Sequence, residues 1–153
     1  MTTVACDGLT IACDSQVTWG DSIEQGCYTK IKKEGDLIFA YSGCVYLFEP
    51  WIKWWKDGKD PEKRPIVDKD NARFSFWCWD GSYLWEVQYD PPYPMKMKTP
   101  CAIGSGRGYA LAAMLAGADA RKAVEIAIKL DTGSGGEVYH LPLTGVPIGI
   151  AKS

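Results

Sequence analysis

Two apolar runs flank Asp7-Gly8 at the start of the chain: Thr2-Thr3-Val4-Ala5-Cys6 before it and Leu9-Thr10-Ile11-Ala12-Cys13 after it. Asp-Gly between apolar runs is the strongest short-range turn signal, so residues 2–14 predict a β-hairpin that begins at the second residue. Residues 17–22 read as a short extended piece running into a turn. Alternation over 27–33 predicts a strand, turned by Glu34-Gly35-Asp36. Leu37-Ile38-Phe39-Ala40-Tyr41-Ser42 is almost continuously apolar and predicts a strand buried on both faces, ending at Gly43. Helical spacing appears next, over 44–56, where Leu47, Trp51, Trp54 and Trp55 form one stripe. Pro50 fits only the first turn, so the helix should start near Phe48 or Glu49. A tryptophan stripe at this spacing reads as core packing before it reads as a ligand platform.

Residues 57–71 carry charge and proline without periodicity and read as a surface loop. A second Asp-Gly pair, Asp80-Gly81, joins the aromatic runs 72–79 and 82–88 into another hairpin. Residues 89–94 form a proline-rich connector, and 95–103 read as one further extended segment. The glycine-rich turn at 104–108 leads into a helix over 109–116. A second helix starts at Asp119 and should bury Ala123, Ile126, Ala127 and Leu130. Residues 137–141 predict a strand, and 146–151 a last edge strand. Strands, one helix, strands, two helices and strands exclude an alternating βαβ plan. The pattern predicts an α+β fold: two antiparallel sheets covered by helices on their outer faces.

A length of 153 residues suits a single domain, 1–153, with a sizeable core. The net charge of -2 gives no electrostatic case for nucleic acid or an anionic membrane surface. No apolar run is long enough to span a bilayer, and the start lacks the basic and apolar regions of a secretory signal. A cytoplasmic location is expected. Six cysteines occur without a Cys-x-x-Cys pair, and His140 is the only histidine. Cysteines scattered through apolar strands read as small buried hydrophobes, so no metal and no cofactor are expected. Gly104-Ser105-Gly106-Arg107-Gly108 lacks the spacing of a dinucleotide loop and the lysine of a phosphate loop.

The remaining chemistry is at the start. Loss of Met1 would leave a threonine carrying a hydroxyl nucleophile and a free α-amine on one residue, a pairing that supports covalent catalysis. Taken singly, the surrounding polar residues have plain structural readings: Lys30 as a solvated strand lysine, Asp14 as a turn residue, 104–106 as a helix entry and 131–133 as a helix cap.

Their joint order carries more. Thr2-Thr3-Val4, Ile11-Ala12-Cys13-Asp14-Ser15-Gln16, Thr18-Trp19-Gly20, Lys30-Ile31, Tyr41-Ser42-Gly43, Ala102-Ile103-Gly104-Ser105-Gly106 with Tyr109-Ala110, and Asp131-Thr132-Gly133-Ser134-Gly135-Gly136 follow one another at family-like spacing. In this the chain resembles proteasome β-type subunits and HslV-like peptidases of the N-terminal nucleophile hydrolase family. The resemblance implies a four-layer αββα sandwich and a threonine endopeptidase active in a homo-oligomeric ring. It implies Thr2 as nucleophile once Met1 is removed, Asp14 and Lys30 beside it, and the Gly43 N–H as oxyanion donor. Ser105, Asp131 and Ser134 would hold the threonine amine and its water. Gly20, Cys27, Tyr41 and Val45 would line the specificity pocket. Peptide or unfolded protein is the implied substrate, and an ATPase unfoldase is a candidate partner. The chain departs from the family where the loop 57–71 replaces a second long helix, making a compact version with a reduced first helical layer. Two other readings follow: an amidase acting on a small substrate, and a non-catalytic assembly subunit if Met1 is retained.

Overall fold

A computed structural model describes residues 2–19, 21–24, 28–66 and 73–145, without the side chain of Trp19. The opening hairpin pairs β1 (Val4–Cys6) with β2 (Thr10–Cys13). Asp7 forms its turn by accepting the N–H groups of Leu9 and Thr10 on one oxygen, both at 2.8 Å. A small hairpin follows, β3 (Thr18–Trp19) with β4 (Ser22–Ile23). Then come β5 (Ile31–Glu34), β6 (Leu37–Ser42) and α1 (Phe48–Lys56), with Pro50 in the first turn of the helix. One 3₁₀ turn, Pro61–Lys63, capped by the Asp60 side chain, interrupts the described part of the 57–71 loop. The second hairpin is β7 (Ser75–Trp79) with β8 (Leu84–Gln88). After it come β9 (Met95–Lys96), β10 (Cys101–Ile103), α2 (Arg107–Leu115), α3 (Ala120–Leu130) and β11 (Tyr139–Pro142).

Apart from the β3–β4 hairpin, these strands make two antiparallel sheets, one in the order β10-β1-β2-β11 and the other β5-β6-β7-β8-β9. The two-residue period of each strand sorts its side chains between layers. Val4, Cys6, Ile11 and Cys13 meet Ile38, Ala40, Trp77, Trp79 and Leu84 between the sheets. Ala5 and Ala12 point the other way, onto α2 and α3. Phe39, Tyr41, Phe76, Cys78 and Val87 point outward beneath α1. The tryptophan stripe of α1 is core: Trp51, Trp54 and Trp55 are all buried there. The result, among the described residues, is helix, sheet, sheet, helix, with α1 on one side and α2 and α3 on the other.

Two expectations need correction. The predicted extended segment 95–103 is two strands in different sheets: β9 pairs with β8, and β10 pairs with β1. Pro100 has no N–H to give a ladder, and the chain crosses between sheets just before β10. On α3 the buried face is Ala120, Ala123, Val124 and Ala127, and Leu130 is exposed. Leu130 is the last residue of α3, and the backbone becomes extended at Asp131. The predicted edge strand at 146–151 lies outside the described residues.

Cys6, Cys13, Cys78 and Cys101 are buried thiols and Cys44 is half-buried. Burial pushes the Cys6 and Cys13 thiols up to about 12, so both are neutral core groups.

Candidate active site

The site is built where β1 begins. Thr2 has the parity of Val4 and Cys6, so it faces the space between the sheets, where it lines a cleft of about 850 Å³. Thr3 has the parity of Ala5 and faces the helical layer. The two adjacent threonines therefore address different partners.

Thr2 is 1 % exposed. Its backbone nitrogen donates to Ser105 Oγ at 3.2 Å. Ser105 Oγ donates to Asp131 Oδ2 at 2.6 Å, and Ser134 Oγ donates to the same oxygen at 2.6 Å. Ser134 Oγ also meets Thr3 Oγ1 at 2.7 Å. Partial burial acts to raise the Asp131 carboxyl, but the two serine hydroxyls and the Gly133 N–H outweigh it and hold the group below the usual carboxylate range. Asp131 is thus an anion fixed by its donors, and through Ser105 it is linked to the nitrogen of Thr2. The α2–α3 pair places this set: Ser105 lies just before α2, and Asp131 just after α3.

The second cluster lies at the end of β2. Asp14 is fully buried, and its four lone-pair directions are filled. Oδ1 accepts the Thr3 N–H at 3.0 Å and Lys30 Nζ at 2.8 Å, while Oδ2 accepts the N–H groups of Gly135 at 3.0 Å and Gln16 at 3.3 Å. Lys30, 1 % exposed, also donates to the Gln16 carbonyl at 2.6 Å. A buried ion pair survives only when its remaining groups are satisfied, and here they are. Burial lowers the Lys30 ammonium below the ordinary lysine value, with the Asp14 charge opposing that shift. Asp14 therefore ties the base of β1 and the 134–136 turn to Lys30.

Gly43 and Gly104 complete the walls. Gly43 lines the cleft with φ +115, and a Cβ there would collide with the Arg73 carbonyl oxygen. Gly104 has φ +98, and a Cβ there would collide with the Thr2 carbonyl oxygen. Neither position accepts a side chain; Gly104 keeps backbone close to Thr2, and Gly43 keeps it close to the Arg73–Phe74 backbone.

The structure brings Thr2, Ser105, Asp131 and Ser134 into one hydrogen-bonded chain. It joins Asp14 to Lys30 and sets Gly43 in the wall beside Thr2. Three participants went unpredicted. Thr3, Gln16 and Gly135 bind the predicted residues through three backbone N–H groups, a carbonyl and one hydroxyl. Backbone groups carry no sequence signal, but the second threonine of the Thr2-Thr3 pair did offer one. The pocket residues fare differently. Gly20 and Cys27 lie outside the described residues. Tyr41 is buried with its ring 4.5 Å from Phe48, and Val45 is half-buried in a 3₁₀ turn. The period of β6 explains the difference: Ser42 turns into the cleft, and Tyr41 turns beneath α1. Among the described residues, no group of three or more metal-binding side chains is assembled. Among the described residues no helix is long and apolar enough to cross a membrane.

No family model matches the chain, and no curated protein does. Solved structures match over nearly its whole length. One is BPH of Thiobacillus denitrificans in complex with epoxomicin, with TM-score 0.71 and 20% identity over 95% of this chain and 99% of that one. A second structure of the same BPH gives TM-score 0.68 and 22% identity over 96% and 100%. HslV from Trypanosoma brucei gives TM-score 0.68 and 21% identity over 94% and 98%. The chain has the BPH and HslV fold. At these identities the likeness is one of fold, and the αββα sandwich read from the sequence is the fold observed.

Proposed function

We propose that this chain is a threonine endopeptidase of the proteasome and HslV type, with Thr2 as nucleophile after loss of Met1. The observation that carries this reading is the hydrogen-bonded chain that runs from the backbone nitrogen of Thr2 through Ser105 to Asp131 and Ser134, at a residue that lines a cleft. A nitrogen held this way is of use when it is a free amine. Threonine is a poor nucleophile unless a base takes its proton in the transition state. A free α-amine titrates near ~7.7–8.0, and a nearby ammonium such as Lys30 lowers that value further, leaving the amine neutral and able to accept the proton. The hydroxyl oxygen attacks the peptide carbonyl, and the Gly43 N–H stabilises the oxyanion, a donor of a kind worth roughly 3 kcal/mol. The amine returns its proton to the leaving amine, and water then hydrolyses the ester.

Peptides or unfolded proteins are the substrates of this reading, and a homo-oligomeric ring is the working form, with an ATPase unfoldase as a candidate partner. Epoxomicin, bound in one matching BPH structure, is expected to block hydrolysis here. The test compares the protein with its Thr2→Ala variant on small fluorogenic peptides, alanine being equally compatible with Met1 removal. Loss of turnover in the variant is expected; equal rates sink the proposal. Among the described residues α1 is the one α-helix over the second sheet, which favours one rival, an amidase acting on a small substrate outside any closed chamber. Native mass spectrometry separates the two, because the peptidase should assemble and a pure monomer supports the amidase.

A further inference from the structure

The space between two packed sheets is normally apolar, since an unsatisfied polar group there costs a few kcal/mol. One end of this interface obeys the rule, with Ile38, Trp79, Leu84 and Leu143 buried together. The other end breaks it. Ser75, Glu86 and Gln88 share the inward face of β7 and β8 with Trp77, as the register pairs Ser75 with Gln88 and Trp77 with Glu86. All three polar residues line the cleft that contains Thr2.

Glu86 is 9 % exposed. Its Oε1 accepts the Trp77 indole N–H at 2.9 Å, and its Oε2 accepts the Gln88 side-chain amide at 2.9 Å. Gln88 in turn accepts a long bond of 3.4 Å from Ser75 Oγ. Both donors to the carboxylate are neutral, and each oxygen keeps a second lone-pair direction. Among the described residues no lysine or arginine pairs with it. Arg73 and Arg107 line the same cleft but are exposed, and Arg107 donates to the Gly104 carbonyl at 3.0 Å. A carboxylate this deep lacks a counter-charge, and the cleft gives a ligand access to it.

We infer that the cleft beside Thr2 receives a cationic side chain of the substrate, lysine or arginine, and that Glu86 selects it. Trp77 and Gln88 hold the carboxylate in one orientation, so its free lone pairs face the incoming ammonium or guanidinium. The apolar walls, Met97 and Ile103, suit the methylene stem of such a side chain. This inference rests on the reading of Thr2 as the nucleophile, because it places the selected residue next to the bond that Thr2 cuts.

The test uses quenched-fluorescence octapeptides in which one arginine is stepped through the positions around the cut. Each peptide has a citrulline twin of the same shape without the charge. The intact protein should cleave the arginine peptide about tenfold or more faster than its twin at one position, as expected for a hydrogen bond between charged groups. Glu86→Gln, which keeps an acceptor for Trp77, should reduce that ratio to near one. No preference at any position, or a preference that survives Glu86→Gln, overturns the inference. A binding measurement separates it from the nucleophile reading. The Trp77 indole N–H resonance should shift on titration with an arginine tripeptide amide, and stay still with the citrulline form. A shift without any cleavage supports the subsite and removes the peptidase reading; cleavage without a shift or a preference does the reverse.

Discussion

The helical layer over the first sheet is packed with alanine, and the layer over the second is packed with aromatic rings. Ala5 and Ala12 on the sheet meet Ala110, Ala120, Ala123 and Ala127 on α2 and α3. Beneath α1, Trp51 has ring neighbours Trp54, Phe74, Phe76 and Tyr89 at centroid separations of 4.9 to 6.4 Å. Small residues let backbones approach closely, so short polar side chains can reach across the layer. Asp7 Oδ2 accepts the Ala120 N–H at 2.8 Å, and Asp131 reaches Ser105 and Ser134. The aromatic layer has fewer such crossings, and both Trp51 Nε1 and the Tyr41 hydroxyl are buried without a partner among the described residues. One helix must cover a five-stranded sheet, and large rings supply the area that a second helix would otherwise give. The alanine layer positions chemistry; the aromatic layer supplies apolar burial.

That contrast can be broken in order of expected effect. Lys30→Met leaves Asp14 buried without its counter-charge, which should lower stability by about 3–5 kcal/mol and abolish turnover. Adding Asp14→Asn should restore much of the stability but none of the activity, a result read by denaturant melts beside a peptidase assay. Trp51→Ala should also cost about 3–5 kcal/mol, as a cavity in the aromatic layer, yet keep near-normal turnover per folded molecule well below its midpoint. Ala127→Leu should do the opposite. Overpacking costs about 1–3 kcal/mol, but a larger residue beside Gly106 and Asp131 displaces the serine–aspartate set, so turnover should fall more than stability. If Trp51→Ala and Ala127→Leu lower activity and stability in the same proportion, the two layers do not differ in role.

The smallest effect is a pH dependence. The folded Asp131 carboxyl lies below its unfolded value, so its contribution is present above the unfolded pKa near ~3.9 and is lost as pH falls through the folded value. The stability difference between the protein and Asp131→Asn should therefore stay flat above about pH 5 and shrink in more acid solution. Lys30 gives a slope of the same sign, at alkaline pH. Burial lowers its folded value, so the unfolded chain holds the proton longer and stability rises with pH on the approach to the unfolded value near ~10.4. Urea titrations across both ranges give the two slopes.

The sandwich was legible because its signals are local. Two Asp-Gly turns, one continuous apolar strand and a tryptophan stripe gave the hairpins, the central strand and α1 with few errors. The crossing at 97–100 was illegible because a run that switches sheets looks like one strand until its partners are known. The clustering of the candidate site was legible through the joint order of Thr2, Asp14, Lys30, Ser105, Asp131 and Ser134, none of which is informative alone. The cleft wall was not. Tyr41 and Ser42 differ by one residue in a strand apolar on both faces, so the pattern could not say which one faces the cleft. Glu86 sits in an aromatic hairpin whose inward face is known only once the second sheet is in place.

The most direct test of the account is the mass of the purified chain before and after exposure to a slowly hydrolysed peptide ester. The account predicts a chain lighter by one methionine residue, which then gains one acyl group on Thr2, and no acyl gain in Thr2→Ala. A chain that turns over substrate while retaining Met1, or one that acylates equally without Thr2, contradicts it.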